Sequence, residues 1–327
     1  MVQQRSGHTA TRLGNGKVLV AGGYSGQDSE MYNPATNRWA LVGTMSQPRS
    51  SHTATLLGSG KVLVTGGIVT TILASAEQFD PATSLWSPAG TMSKARFWHT
   101  GTLLATGRVM VTGGVGTGAY QASAELYDPA TNAWSQAAPM IQSRYGYPAT
   151  LLGSGQLLVE GGFNSAYLTG AELYDPATDA WAPAGALGAA RAGHSATLLT
   201  NGKVLIAGGS DNGYKESGAE LFAFGPGDAC AAAADCQSGF CADGVCCNTA
   251  CNAGACNACS VAAGAAVNGT CAPTTGNVCD DGNGCTQPDT CQAGICVGTM
   301  QGNLNPYMVA MPPSGRKNGS FAGGERA

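Results

Sequence analysis

The residues that could do chemistry in this chain recur at a regular spacing. A motif R-x-x-H-x-A-T, or a close variant of it, begins at Arg5, Arg49, Arg96, Arg144 and Arg191. Its histidine position holds His8, His52, His99, Tyr147 and His194. A ring of histidines and arginines could hold a metal ion or an anion. Because a residue found once in every copy serves the copy itself, we expect a repeated structural hydrogen bond instead.

A glutamate also recurs once in each copy. The five are Glu30, Glu77, Glu125, Glu172 and Glu220. We expect each one to pair with an arginine or with backbone donors, within a copy or between neighbouring copies.

The departures from the repeat are the better candidates for a binding site. Glu160 stands where the other copies have Ala or Thr before a Gly-Gly pair. Phe97, Trp98 and Tyr145 are bulky where other copies have Ser, Ala or Gly. The loops after Gly-Gly carry further aromatic residues, and such loops are where binding usually resides. We predict eight ligand-binding residues, with ordinary loop packing as the alternative for each: Tyr24, Trp98, Tyr120, Tyr145, Glu160, Phe163, Tyr167 and Tyr214.

No catalytic set stands out, and we predict that the protein is not an enzyme. Residues 1–229 contain no cysteine, all four histidines lie in repeat positions, and no G-x-S-x-G elbow is present. A glycosidase needs a pair of carboxylates, but most acidic residues here belong to the repeat or to turns. We therefore predict no catalytic residue, no metal ligand and no cofactor. A non-redox carbohydrate-active enzyme is the alternative.

Each copy predicts four β-strands. In the second copy, strands are expected over 51–57, 61–65 and 76–79, and Trp86 opens a fourth. The second strand is an unbroken apolar run, which indicates burial on both faces. Asp80 and Pro81 begin a D-P-A-T sequence typical of a type I turn. One such sheet cannot bury its own faces, whereas copies stacked around an axis can.

These copies resemble the kelch repeat, in which an apolar strand ends in Gly-Gly and a Tyr-Asp-Pro turn and a Trp follow. Over residues 5–222 they look especially similar to bacterial kelch and galactose-oxidase-like propellers. The resemblance implies an all-β fold, a kelch-type β-propeller of about five blades in a domain over 1–225. The first strand of each blade would be innermost. Galactose-oxidase-like proteins hold copper through a Tyr cross-linked to Cys, and residues 1–229 offer no Cys for that cofactor.

The number of outer strands falls one short of the number of copies. The tryptophans that mark an outer strand are Trp39, Trp86, Trp134 and Trp181, and the fifth copy departs from the pattern after Phe222. We therefore predict an incomplete propeller, either an open arc or the C-terminal portion of a longer protein.

All 13 cysteines lie between Cys230 and Cys296. A segment so poor in large apolar residues is usually held together by disulfides, each worth about 2–4 kcal/mol. We predict a disulfide-rich module over 226–297, which resembles tail modules of secreted myxobacteria-like proteins, and a disordered tail over 298–327. Zinc is the alternative, but only Cys256 and Cys259 have C-x2-C spacing and the tail has no histidine. An odd count leaves at least one thiol unpaired.

Charge and hydropathy limit the classes of partner that the protein could bind. The net charge is −4 and no basic run exists, so we expect no nucleic-acid partner. No apolar run is long enough to span a membrane. Asp280, Asp281 and Asp289 offer a weak calcium alternative, although their spacing does not match an EF-hand.

We predict a non-catalytic extracellular or cell-surface binding or scaffold protein that recognises protein or polysaccharide. The chain shows no signal peptide at its start, and we expect that start to be truncated.

Overall fold

The structure is a computed structural model, and it describes residues 1–222 except 25, 212, 213 and 216. Beyond 222 it describes only the backbone of three short hairpins. These are β24 (Cys241–Ala242) with β25 (Val245–Cys246), β26 (Asn257–Ala258) with β27 (Ala272–Pro273), and β28 (Thr286–Gln292) with β29 (Ile295–Met300). The predicted disulfide pairing, the side chains of the calcium candidates and residues 301–327 of the predicted tail lie outside the described residues, while the backbone of residues 298–300 belongs to β29.

Five antiparallel sheets follow one another along the chain, one for each copy of the repeat. The first two are β1 (Thr9–Arg12), β2 (Val18–Ala21), β3 (Asp28–Asn33), β4 (Arg38–Thr44), and β5 (Thr53–Leu56), β6 (Val62–Thr65), β7 (Ser75–Asp80), β8 (Leu85–Thr91). The third contains β9 (Thr100–Leu103), β10 (Val109–Thr112), β13 (Ala124–Asp128) and β14 (Ala133–Ala137).

The fourth sheet contains β15 (Ala149–Leu151), β16 (Leu157–Glu160), β17 (Gly170–Asp175) and β18 (Ala180–Ala186). Within the described residues the fifth has three strands, β19 (Ser195–Leu198), β20 (Val204–Ala207) and β23 (Ala219–Phe222). Two small hairpins extend from the third and fifth sheets: β11 (Val115–Gly116) with β12 (Ala119–Tyr120), and β21 (Ser210–Asp211) with β22 (Tyr214–Lys215).

The sheets are the blades of a propeller, as the repeat predicts. The first strands of successive blades contact one another in the order β1, β5, β9, β15 and β19, so these strands lie innermost. The second strands are buried throughout in blades two to four. In a representative interface, Leu19 of blade one packs with Val62 and Phe79 of blade two. Each such side chain contributes about 1.5–3 kcal/mol through burial.

The recurring arginine and glutamate form one ion pair per blade, buried in blades one to four and partly exposed in blade five, which we call the Arg–Glu clamp. Arg49 Nη2 lies 2.7 Å from Glu77 Oε1, and Arg49 Nη1 donates to the carbonyls of Gly66 and Ser75. The other oxygen of Glu77 accepts from the N–H of Ser46, on the segment that arrives from blade one. The clamp therefore fixes each incoming segment to its blade. The other clamps are Arg5–Glu30, Arg96–Glu125, Arg144–Glu172 and Arg191–Glu220.

The outer-strand tryptophans join neighbouring blades. Trp86 Nε1 donates to the carbonyl of Gly43 at 3.2 Å, on the outer strand of the preceding blade. Trp134 and Trp181 repeat this hydrogen bond. Gly43 has no side chain because a Cβ there would meet the carbonyl oxygen of Ser84.

The first strand of the second blade starts later than its sequence pattern predicts. It begins at Thr53, not at residue 51, because Ser51 adopts a left-handed conformation with φ of 53°. Such a residue cannot extend a β-strand. In the described part of the chain, no helix has the length and apolar character to cross a membrane.

Candidate functional site

The innermost rim of the propeller is built from one tight turn per blade. The residue two positions after each clamp arginine has a positive φ, between 52° and 68°, and these five rim-turn residues are Gly7, Ser51, Trp98, Gly146 and Gly193. Their backbones bond in series from blade to blade. The N–H of Trp98 donates to the carbonyl of Ser51 at 3.0 Å, and the N–H of Gly193 donates to the carbonyl of Gly146 at 2.6 Å. The rim is thus a continuous backbone scaffold.

Trp98 is the one bulky residue among the rim-turn residues. Its φ is 52°, where a side chain with a Cβ costs about 1–2 kcal/mol. Its indole is nevertheless 51% exposed, so little burial offsets this strain. Strain held at an exposed aromatic residue is a mark of a functional position.

Backbone pairing brings aromatic residues from two loops together at the rim. The residue before each rim turn pairs with the residue after Gly-Gly, so Phe97 lies opposite Val115 and Tyr145 lies opposite Phe163. The short β11–β12 hairpin adds Tyr120. Residues that are far apart in the sequence therefore share one surface over blades three and four.

Five of the predicted ligand-binding residues form a single cluster, which we call the aromatic patch: Trp98, Tyr120, Tyr145, Phe163 and Tyr167. Tyr145 lies at its centre. The ring of Trp98 stacks on it with centroids 5.4 Å apart, and Tyr120 stacks on it at the same separation. Phe163 meets Tyr145 edge-on at 5.6 Å and Tyr167 at 5.0 Å. Edge-to-face and offset contacts of this kind add about 0.5–1.5 kcal/mol each, so the patch is preorganised.

A cleft of about 460 Å³ opens beside the patch. Aromatic rings form one wall, and the small residues of blades four and five form the rest, so that the lining is Trp98, Tyr145, Gly146, Phe163, Tyr167, Ala192, Gly193 and Ser210. No charged side chain lines it. Burial raises the pKa of Tyr145, with Tyr120 and Tyr167 acting in the same direction. The Tyr145 hydroxyl therefore stays protonated and can donate a hydrogen bond.

The remaining three predicted residues do not join the patch. Tyr24 is 77% exposed on the rim of blade one and has no ring contact with the patch among the described residues. Tyr214 is described only by its backbone, in β22. Glu160 is fully buried at the end of β16, so it is not part of the exposed surface that the aromatic residues form.

Sequence reasoning missed the cleft wall contributed by blade five. Ala192, Gly193 and Ser210 are small and carry no chemical signal of their own. Their positions correspond to Tyr145, Gly146 and Phe163 one copy earlier, and that alignment was the only signal that could have found them.

Two histidines of the repeat, His52 and His99, make hydrogen bonds between blades. His52 Nε2 lies 3.0 Å from Thr9 Oγ1 of the preceding blade, and His99 Nε2 lies 2.9 Å from Thr65 Oγ1. Burial lowers the pKa of His52 to about 3 and holds that of His99 well below its usual range, so both rings are neutral. Tyr147 replaces histidine in the fourth copy and keeps the bond, 2.8 Å from Thr112 Oγ1. Among the described residues, no group of three or more His, Cys, Asp or Glu side chains could hold a metal ion.

Comparisons with known proteins agree with this architecture. The structure titled "Structure of YjhT" resembles the chain with a TM-score of 0.57 and 19% sequence identity, covering 66% of this chain and 81% of that one. A likeness at this identity concerns the fold alone. No curated protein matches the chain.

A family model matches most of the propeller. The KLHDC2/KLHL20/DRC7 Kelch-repeats domain covers residues 7–209, from the first rim turn to the last Gly-Gly pair. Kelch propellers serve generally in binding or as scaffolds, and they commonly bind proteins. The match spans more than half of the chain and includes all five inner strands, so this chain belongs to the KLHDC2/KLHL20/DRC7 family of kelch-repeat proteins.

Proposed function

We propose that this protein is a non-catalytic recognition protein that acts outside the cell or at its surface. Its aromatic patch binds a protein partner, which inserts an apolar or aromatic side chain into the cleft. The observation that carries the proposal is Trp98, an exposed indole held in a strained turn against Tyr145.

The composition of the patch suits a protein interface. Trp and Tyr are enriched among the residues that dominate binding energy, and these residues cluster around well-packed pockets. The rings of the aromatic patch support one another, so little side-chain entropy remains to be lost on binding. The cleft of about 460 Å³ has room for one or two large side chains.

The polarity of the cleft favours protein over polysaccharide. A ligand pocket is usually lined by apolar groups with a few placed polar ones that fix orientation. Here the polar groups are two tyrosine hydroxyls and Ser210, without a carboxylate, amide or guanidinium group. A sugar presents several hydroxyls that such a lining would leave without hydrogen-bond partners, which costs free energy. An apolar side chain has no polar groups to desolvate, so its binding avoids this cost.

The alternative of a carbohydrate-active enzyme has less support. Most glycosidases place two carboxylates about 5–9.5 Å apart across the scissile bond. None of the residues that line the cleft is Asp or Glu. The acidic residue nearest in the sequence to Phe163, Glu160, is buried.

The location outside the cell is part of the proposal and rests on the 13 cysteines. Such a density of cysteine is typical of proteins in oxidising compartments. The intact mass of the natively produced protein, with and without reduction and alkylation, would count its free thiols. One free thiol or none supports secretion, whereas many free thiols would contradict it.

Binding itself is tested with two probe sets, a displayed library of random peptides and a panel of soluble polysaccharides. We expect selected peptides to share an aromatic anchor and to lose at least tenfold in affinity with Trp98→Ala and Tyr145→Ala. Tyr24→Ala is the matched control, because Tyr24 is an exposed rim aromatic outside the patch, and it should bind normally. Loss of polysaccharide binding with the same two variants would replace the protein partner by a sugar. Equal binding by all variants would exclude the patch.

A further inference from the structure

A hydrogen bond joins the histidine of the repeat, or Tyr147 in its place, to a threonine of the preceding blade at the interfaces of blades one to four. Among the described blades it is missing only at the interface of blades four and five. The last residue of the second strand supplies the hydroxyl in blades two and three, from Thr65 and Thr112. The residue in the same register of blade four is Glu160, which pairs with Ala171 as Thr112 pairs with Ala124. A carboxyl group therefore replaces the hydroxyl at the interface of blades four and five.

The imidazole on the other side of this interface keeps its position. A Cβ placed on Gly161 would lie 2.7 Å from Cε1 of His194, and one placed on Gly66 would lie 2.8 Å from Cε1 of His99. His194 therefore occupies the place that His99 occupies two blades earlier. Its side chain is buried, 8% exposed.

Both groups at this interface lack hydrogen-bond partners. Neither carboxyl oxygen of Glu160 and neither ring nitrogen of His194 has one, although these atoms are buried. A buried polar group without a partner costs about 1–3 kcal/mol, more if it is charged. Glu160 and His194 stand where Thr65 and His99 are hydrogen-bonded two blades earlier, so the unpaired carboxyl and imidazole groups are complementary partners.

We propose that Glu160 and His194 hold one proton between them, in a hydrogen bond made through one water molecule. The carboxyl O–H donates to the water and the water donates to an imidazole nitrogen, or the proton moves through the water to that nitrogen and the carboxylate accepts from the water. Each form is neutral overall, and no other atom changes its bonds. The interface is therefore a binding site for a single proton.

The charged groups around the pair are already engaged. Arg144, from the segment before β15, is clamped to Glu172 of β17 and attracts a carboxylate at Glu160. Arg191, from the segment before β19, is clamped to Glu220 and repels a charged His194. The hydroxyl of Tyr147 is bonded to Thr112. These groups bias where the proton lies without replacing the pair.

Burial sets the range of pH over which the proton is held. It raises the pKa of Glu160 to about 8, against the attraction of Arg144. It lowers the pKa of His194 to about 4, and Arg191 lowers it further. Between these values the pair carries one proton. At higher pH the pair becomes an uncompensated buried carboxylate, and the contact of blade five with blade four weakens.

Nitrogen-15 NMR of the histidine side chains tests the proposal across a pH titration. In the unaltered protein the ring nitrogens of His194 should respond twice, once when the pair gains a second proton and once, near pH 8, when it loses its last one. Glu160→Thr restores the hydroxyl of the other blades and should abolish the upper response. His99 is the internal control, since its partner is already a hydroxyl, and it should not change.

A single titration of His194 that is the same in the unaltered protein and in Glu160→Thr would overturn the proposal. Glu160→Gln, which keeps the size of the side chain, serves if the threonine variant fails to fold. Infrared spectroscopy gives a measurement that does not use histidine. A carboxylic acid C=O band that persists at neutral pH and is absent from Glu160→Gln places the proton on Glu160 and supports the proton site. Absence of that band together with a neutral His194 ring at neutral pH contradicts the proposal, because neither group would then hold the proton.

Discussion

The indole of Trp98 stacks on the ring of Tyr145 with 15° between their planes, although the two residues come from different repeats. The contact forms because the rim turns of blades three and four are neighbours, joined by the hydrogen bond from the N–H of Gly146 to the carbonyl of Trp98. The hydrogen-bonded rim turns thus determine which side chains come into contact, and the identity of those side chains determines which ligands the rim can bind.

Trp98→Gly should separate binding from stability. Glycine relieves a φ of 52°, which gains about 1–2 kcal/mol, while loss of the stack on Tyr145 costs about 0.5–1.5 kcal/mol. We expect the free energy of unfolding to change by no more than about 1.5 kcal/mol, whereas affinity for the selected peptides falls more than tenfold. Denaturant titration and a binding assay measure the two effects. Ser51→Gly, at the same turn of blade two, is the control and should leave binding unchanged.

Removal of a clamp arginine should destabilise the propeller strongly. Arg96 and Glu125 are both buried, and Arg96→Ala leaves the carboxylate without its charged partner, at a cost of about 3–5 kcal/mol. The exposed ion pair of Arg108 with Asp128 is the comparison, and Arg108→Ala should cost less than about 1 kcal/mol. Denaturant midpoints measure the stability of both variants. Equal losses of stability in Arg96→Ala and Arg108→Ala would contradict a structural role for the clamp.

Gly43→Ala should destabilise the contact between the outer strands of blades one and two. The new Cβ would meet the carbonyl oxygen of Ser84 and lie 3.1 Å from Cδ1 of Trp86, so the strands must separate. We expect a loss of about 1–3 kcal/mol in the free energy of unfolding. Gly58→Ala is the control, because its Cβ would face open space, and a similar loss there would refute the steric explanation.

The stability of the unaltered protein should fall as the pH rises from about 6.5 to about 8. The folded-state pKa of Glu160 is raised to about 8, so its stabilisation is complete below its unfolded value of 4.5 and is lost as the pH rises through 8. The pKa of His194 is lowered from 6.5 to about 4, so His194 destabilises only below about 6.5. Over the upper window the loss should be about 2 kcal/mol.

Glu160→Thr gives the comparison for this pH dependence. Its free energy of unfolding should be nearly constant between pH 6.5 and 8, since burial moves the pKa of no other side chain in the described part of the chain into this range. Chemical denaturation at closely spaced pH values provides the measurement. A fall of the same size in the variant would assign the effect to another group.

The repeat made most of the fold predictable from the sequence. Gly-Gly pairs recur five times in register, and the N/D-P-A-T turns and tryptophans recur four times, so each strand was indicated four or five times instead of once. The turn prediction held in detail: the side chain of Asp80 accepts from the N–H of Ala82 at 2.9 Å. The beginnings of the inner strands were less predictable, because Ser51 gives no sign in its sequence of a positive φ.

The site was predictable only in part, because a departure from the repeat does not reveal which way a side chain faces. Trp98 and Glu160 are both departures, yet one is exposed at the rim and the other is buried between blades. The difference depends on strand register: Glu160 ends β16 and Trp98 lies before β9 begins. The grouping of Tyr145 with Tyr120 depends on how far a short hairpin reaches, which spacing alone does not specify.

The hydrogen-bonded rim has a consequence for how such a protein changes over time. Its turns accept glycine at Gly146, serine at Ser51 and tryptophan at Trp98, with nearly the same backbone angle. The residue at each rim turn can therefore be substituted while the strands of its blade keep their structure. Binding specificity can change by substitution at one rim turn at a time, and a new recognition surface can arise on any blade without a new fold.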